Sequence, residues 1–94
     1  MELTDWICNR LRVLFPNLKN YDIELISKFV IKRDDNEMLT DETLNNFTVA
    51  HARHRYTGYD DLMNSGEPQW KARQMVQKTV NDYMKFWSRS KQPR

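Results

Sequence analysis

Cysteine is almost missing from this sequence. Cys8 stands alone, so no disulfide can close within the chain, and a four-ligand structural zinc site would need its other ligands from elsewhere. Glycine is scarce as well, with only two in 94 residues. That removes the phosphate-cradling P-loop and the dinucleotide fingerprint, both of which need several glycines at close spacing. No apolar run approaches the ~20 residues that span a bilayer. Glu2 and Asp5 lie where a secretory leader would be apolar and a transit peptide free of acid. These absences predict an intracellular protein, nuclear or cytoplasmic and not secreted. Alternating strand patterns, internal repeats and low-complexity tracts are also missing.

Hydrophobic content is 39%, below the ~45–50% usual in soluble domains. The chain has room for one core, and its aromatic residues make up part of the deficit; they include Trp6, Trp70 and Trp87. The net charge of +2 conceals an asymmetry. Residues 1–50 hold six Lys/Arg and nine Asp/Glu, while residues 51–94 hold nine and four. A basic C-terminal half suits a polyanionic partner.

Helical periodicity accounts for most of the chain. Leu3, Ile7, Leu11 and Leu14 mark the buried stripe of a first helix from about Asp5 to Leu14, with Thr4 as its N-cap. Pro16 ends it and pushes Phe15 out of the helical region. Asn20 caps a second helix reaching Lys32, whose apolar face combines Ile23, Leu25, Ile26, Phe29, Val30 and Ile31. As the most apolar segment, it is expected at the centre. The charged run Lys32 to Glu37 reads as an exposed loop. Thr40 opens a third helix with Asp41 and Glu42 at its positive end, running to Tyr56 before a left-handed stop at Gly58. Thr57 caps a single turn, Tyr59 to Met63. Pro68 begins the last helix, which continues to Ser88 on a core stripe of Ala72, Val76, Thr79, Val80, Tyr83 and Trp87. The expected fold is all-α: a compact bundle of four main helices plus one short helical turn, forming one domain over residues 1–88 with a frayed basic tail at 89–94.

The densest polar cluster, residues 51–61, contains both histidines. On a helical wheel with Leu44 at zero, Phe47 falls near 300°, His51 near 340° and His54 near 280°, at about 100° per residue. Both imidazoles are therefore expected inward, or toward a neighbouring helix, while Arg53 points outward.

The stretch from Ala50 to Leu62 resembles the signature of domain-of-unknown-function family 2293, an H-x-R-H-x-x-T-x-Y-D-x-L core followed by an Ala-Arg-x-x-Val helix ending near a Trp. His51, Arg53, His54, Thr57, Tyr59, Asp60 and Leu62 carry the first part; Ala72, Arg73, Val76 and Trp87 carry the second. The resemblance spans roughly Phe15 to Trp87. It implies a helix–turn–helix layout and no particular activity.

Three readings compete for the cluster. In the first, the histidines are structural, bonding Tyr59, Asp60 or a carbonyl, with Thr57 and Asp60 as a local cap pair. In the second they bind a metal ion with Asp60 or Asp61 as a third ligand. In the third a histidine is a general base for phosphodiester hydrolysis, with Arg53 or Arg55 on phosphate. The structural reading ranks first, and neither a metal nor a cofactor is expected.

Lys71, Lys78 and Lys85 recur every seven residues on one face of the last helix, which Arg89, Lys91 and Arg94 would extend. Such a row fits phosphates nonspecifically or serves as an ordinary solvated face. Tyr56 and Tyr59 beside the arginines could stack on bases or anchor a protein. The expected function is a non-catalytic module that binds nucleic acid or a nuclear partner through Arg53, Arg55, Lys71, Lys78 and Lys85. A protein adaptor docking through a Tyr/Arg/Trp patch is the alternative, and a histidine- or metal-dependent phosphodiester hydrolase the second. No membrane partner is expected.

Overall fold

A computed structural model describes residues 3–33 and 39–89. They form five helices: α1 (Leu3–Leu14), α2 (Asn20–Lys32), α3 (Asp41–Tyr56), the short α4 (Tyr59–Asn64) and α5 (Gln69–Ser88). Four main helices and one short one build the bundle, as the periodicity predicts. Most of the expected loop after Lys32 and of the basic tail lies outside the described residues; Lys32 itself still belongs to α2.

The local signals differ in detail. Thr4 lies inside α1 and Leu3 is 55% exposed, so the buried stripe of that helix is Ile7 and Leu11 alone, with Leu14 half-buried. Asn20 is the first helical residue of α2, and the cap position before it is Lys19, without a side-chain bond. Thr40 caps α3 as expected, its hydroxyl accepting from the Thr43 amide at 3.2 Å. Gly58 is not left-handed: its φ is −84°. Thr57 shapes that turn instead, donating its hydroxyl to the Arg53 carbonyl and accepting from the Tyr59 amide at 3.2 Å. The positive φ falls on Gly66 at 102°, after α4, where an L side chain would be strained. Pro68 occupies the cap position of α5 rather than its first turn.

The packing hub is α3, which touches every other helix, and not the more apolar α2. It buries a mixed set: Leu44, Thr48, His51 and Ala52. Thr48 satisfies its hydroxyl on the Leu44 carbonyl at 2.8 Å, so a polar residue can sit in the core without an orphan group. From α2 the core takes Ile23, Ile26 and Val30, while Phe29 and Ile31 remain exposed. The apolar face read from the sequence is thus wider than the contact it makes. On α5, Ala72, Val76, Val80 and Trp87 are buried as expected and Tyr83 is half-buried, whereas Thr79 is exposed.

The turn after α1 closes the bundle. Asn17 donates its side-chain amide to the carbonyls of Phe86 and Arg89, each at 2.9 Å, and its backbone amide to Trp87 at 3.1 Å. These carbonyls are among those a helix C-terminus leaves unpaired. One residue near the start of the chain therefore ties down the end of α5 and helps hold Trp87 against α3.

Candidate functional site

His51 and His54 part company although one turn separates them. His51 is buried as expected, its side chain 2% exposed, and its Nε2 meets Oδ1 of Asp22 at 2.8 Å; that carboxylate is 1% exposed. Tyr56 donates its hydroxyl to both oxygens of Asp22, at 2.9 and 2.8 Å. Around this triad the rings of Tyr56, Tyr83 and Trp87 pack with centroids 4.9–5.5 Å apart. Burial and the bonds to Asp22 push the Tyr56 hydroxyl up to about 12. Asp22 was not singled out in the sequence. Its position was legible in principle, because Asp22, Ile26 and Val30 follow the i, i+4, i+8 spacing of one helix face.

His54, by contrast, is exposed, which corrects the expected inward orientation. Its side chain is 52% exposed, and its Nδ1 meets Oδ1 of Asp60, 58% exposed, at 2.7 Å. A wheel position near 280° lies at the margin of the apolar face, where α4 buries its own Tyr59 and leaves His54 to water. Asp60 therefore serves His54, while Thr57 alone performs the capping. The His54 ring stands edge-on to Tyr59, centroids 5.2 Å apart.

Arg53 lies over the ring of the same tyrosine, its Cζ 5.5 Å from the centroid. It is half-buried rather than outward-pointing. Arg73 and Gln69 of α5 complete the surroundings, lining the same cleft as the Tyr59 ring. Burial pushes the Tyr59 hydroxyl up, but the bonds from Gln69 and Arg73 and the charges of both arginines outweigh it and leave it below the usual value. Burial and the charge of Arg73 both lower the proton affinity of Arg53. Neither guanidinium has an ion-pair partner among the described residues.

Together Arg53, His54, Tyr59, Asp60, Gln69 and Arg73 line an open cleft of about 410 Å³, with Met63 and Asn64 at its edge. Arg73 was quoted in the family signature but not placed in the binding set. The signal for it was an arginine at the border of the α5 core stripe, one residue after the wholly buried Ala72.

The other basic residues do not join this cleft. Arg55 donates to the Tyr21 hydroxyl at 2.9 Å, with Cζ 5.3 Å from that ring, on the side of α2. Lys71 pairs with Glu67 at 3.3 Å and Lys78 with Asp82 at 3.0 Å. Lys85 has no ion pair among the described residues. The lysine row lies about 140° around α5 from Arg73 at 100° per residue, so it forms a separate surface. Lys91 and Arg94 lie outside the described residues.

Among the described residues, no three His, Cys, Asp or Glu side chains are grouped to hold a metal ion. Cys8 is half-buried and unpaired. None of the described helices is long and apolar enough to cross a membrane.

A family model described as "Uncharacterized conserved protein (DUF2293)" matches residues 10–88. No curated protein and no solved structure matches the chain.

Proposed function

The chain belongs to the DUF2293 family of uncharacterized conserved proteins, and we propose that this member is a non-catalytic helical module that binds nucleic acid by its phosphates. The carrying observation is the Arg53–Arg73 pair, two guanidiniums that line one cleft and have no carboxylate partner among the described residues. Like charges held this way raise the free energy of the empty site, and an anion between them would remove that cost. Arginine suits the purpose because its planar fork of N–H donors matches phosphate oxygens two at a time. Tyr59 lies between the two: Arg53 stacks on its ring, and the charge of Arg73 acts on its hydroxyl. Lys71, Lys78, Lys85 and Arg55 would then add affinity at the periphery.

Binding measured by anisotropy with labelled oligonucleotides should weaken steeply with salt, by a log–log slope of roughly −0.7 to −0.9 per phosphate contact. Arg53→Gln and Arg73→Gln should each reduce that slope by about one and weaken all sequences alike. Complexes that ignore both substitutions, or no complex at low salt, would overturn the assignment.

The hydrolase alternative has one feature in its favour. An exposed His54 held by Asp60 beside two arginines is how a general base and a phosphate clamp are arranged. Water would have to be its nucleophile, since no serine, threonine or cysteine lines the cleft. Cleavage of the same probes, abolished by His54→Ala, would replace the binding module with an enzyme.

A further inference from the structure

Two cavities share the His54–Asp60 pair as a wall, and their chemistries differ. One is the arginine cleft. The other, about 520 Å³, is lined by Leu25, Phe29, Phe47 and Ala50, with His51 and Arg55 beside the shared pair. Phe29 is 58% exposed although Ile26 and Val30 on the same helix are buried. Folding leaves this large ring facing water.

The apolar wall is interrupted by polar groups. Asp60 presents a carboxylate with only Oδ1 engaged, and His51 has an Nδ1 with no partner among the described residues, its Nε2 being bonded to Asp22. A purely apolar occupant would leave these groups unsatisfied. An occupant with a flat π-face and a hydrogen-bonding edge would meet both demands, and a nucleobase has both. Charge complementarity points the same way, because the adjoining cleft holds two unneutralised guanidiniums. In a duplex the base faces are hidden by stacking, so only an unpaired strand can offer one.

We propose that the chain takes single-stranded nucleic acid, one base seated against Phe29 in the Leu25–Phe47 groove and the neighbouring phosphates on Arg53 and Arg73, with the His54–Asp60 pair between them. This rests on the phosphate-binding reading and narrows its ligand. Stacking is tolerant of base identity, so affinity for single strands comes with little sequence preference.

Three labelled probes of equal length test it: a single-stranded oligonucleotide, its abasic counterpart and the matching duplex. The single strand should bind more tightly than either of the others. Phe29→Ala should weaken it roughly five- to hundredfold, the range expected for one lost stacking contact, and leave the abasic and duplex probes unchanged. Since Phe29 is exposed, the variant should keep its helical circular dichroism and its unfolding midpoint, so weaker binding cannot be assigned to misfolding. Equal affinity for the single strand and the abasic probe, or indifference to Phe29→Ala, overturns the base pocket. The phosphate reading would survive that result if Arg53→Gln and Arg73→Gln still weakened every probe. No binding of any probe at low salt would sink both and leave the groove to a protein partner.

Discussion

His51 and His54 stand one turn apart on α3, each bonded to an aspartate and each edge-on to a tyrosine ring. The first set is closed. Asp22 takes both the His51 Nε2 and the Tyr56 hydroxyl under a lid of Tyr83 and Trp87, and almost no water reaches the His51–Asp22 contact. The second is open, with His54 and Asp60 more than half exposed and two arginines beside Tyr59 that no carboxylate among the described residues pairs with. The same three residue types lock the core where the carboxylate is fully partnered and dry, and border an open cleft where it is partly partnered and wet. What separates them is the neighbouring element: α2 and the end of α5 cover one, whereas the six-residue α4 and the first turns of α5 border the other and leave it open.

The sharpest way to break this comparison is to remove one carboxylate from each set. Asp22→Ala strands a buried imidazole and a half-buried hydroxyl, and breaking a buried pair typically costs about 3–5 kcal/mol. Asp60→Ala breaks an exposed pair, for which ~0–1 kcal/mol is usual. Chemical denaturation of the two variants should separate their midpoints widely; equal losses would show that the sets are not distinct. Trp87→Ala should match the larger effect at about 3–5 kcal/mol, since the buried ring roofs the closed set.

A second contrast sets binding against stability. Arg53→Gln or Arg73→Gln removes one member of a like-charge pair, so stability should change by no more than ~0.5 kcal/mol, as for other surface positions. Oligonucleotide affinity should nevertheless fall. A variant that loses both together would place the arginines in the structural framework instead.

The lysine row should matter least. Lys71 and Lys78 are engaged by Glu67 and Asp82, which leaves Lys85 as the member with no ion pair among the described residues. The triple variant Lys71→Gln/Lys78→Gln/Lys85→Gln is therefore expected to shift the salt slope by about one rather than three. A shift near three would make the row the main phosphate surface and demote the cleft.

How far the sequence foretold these sets depends on the kind of signal. Period-3.6 patterning located the main helices, as where Ile7 and Leu11 or Val76, Val80 and Trp87 repeat on faces that the bundle buries, while the short α4 was legible from Thr57 and the turn residues around it. Patterning could not rank the helices by centrality. Hydrophobicity favours α2, yet α3 is the hub because Thr48 and His51 can be buried once bonded. The candidate cluster was visible as a dense polar run, but its division into closed and open halves depends on Asp22 and Arg73. Asp22 lies 29 residues from His51 in the chain, and no local signal connects them. Caps misled for a related reason: Thr4, Asn20 and Gly58 have suitable chemistry, while helix ends are set by tertiary contacts such as those of Asn17.

The two tyrosines offer the last and smallest test, because their environments shift them in opposite directions. Burial and the bonds to Asp22 raise the Tyr56 hydroxyl to about 12. Between its ordinary value of 10.0 and that figure, the folded chain keeps a proton that the unfolded chain has lost. Tyr56 therefore contributes stability that is present below 10 and declines as pH rises toward 12. At Tyr59, burial is outweighed by the bonds from Gln69 and Arg73 and by the charges of both arginines, so its hydroxyl is lowered. Just below the ordinary value the unfolded chain holds the extra proton there, and the Tyr59 contribution grows with pH. Lysines titrate in the same range, so each tyrosine must be compared with its phenylalanine variant. Subtracting the stability–pH curve of Tyr56→Phe from the parent should leave a falling difference above 10, and subtracting that of Tyr59→Phe a rising one just below it. The tyrosinate absorbance should show the same order, with Tyr59 ionising before Tyr56. Differences of the same sign would mean that Tyr59 is not governed by the two arginines, and the open cleft would lose the charge on which its reading depends.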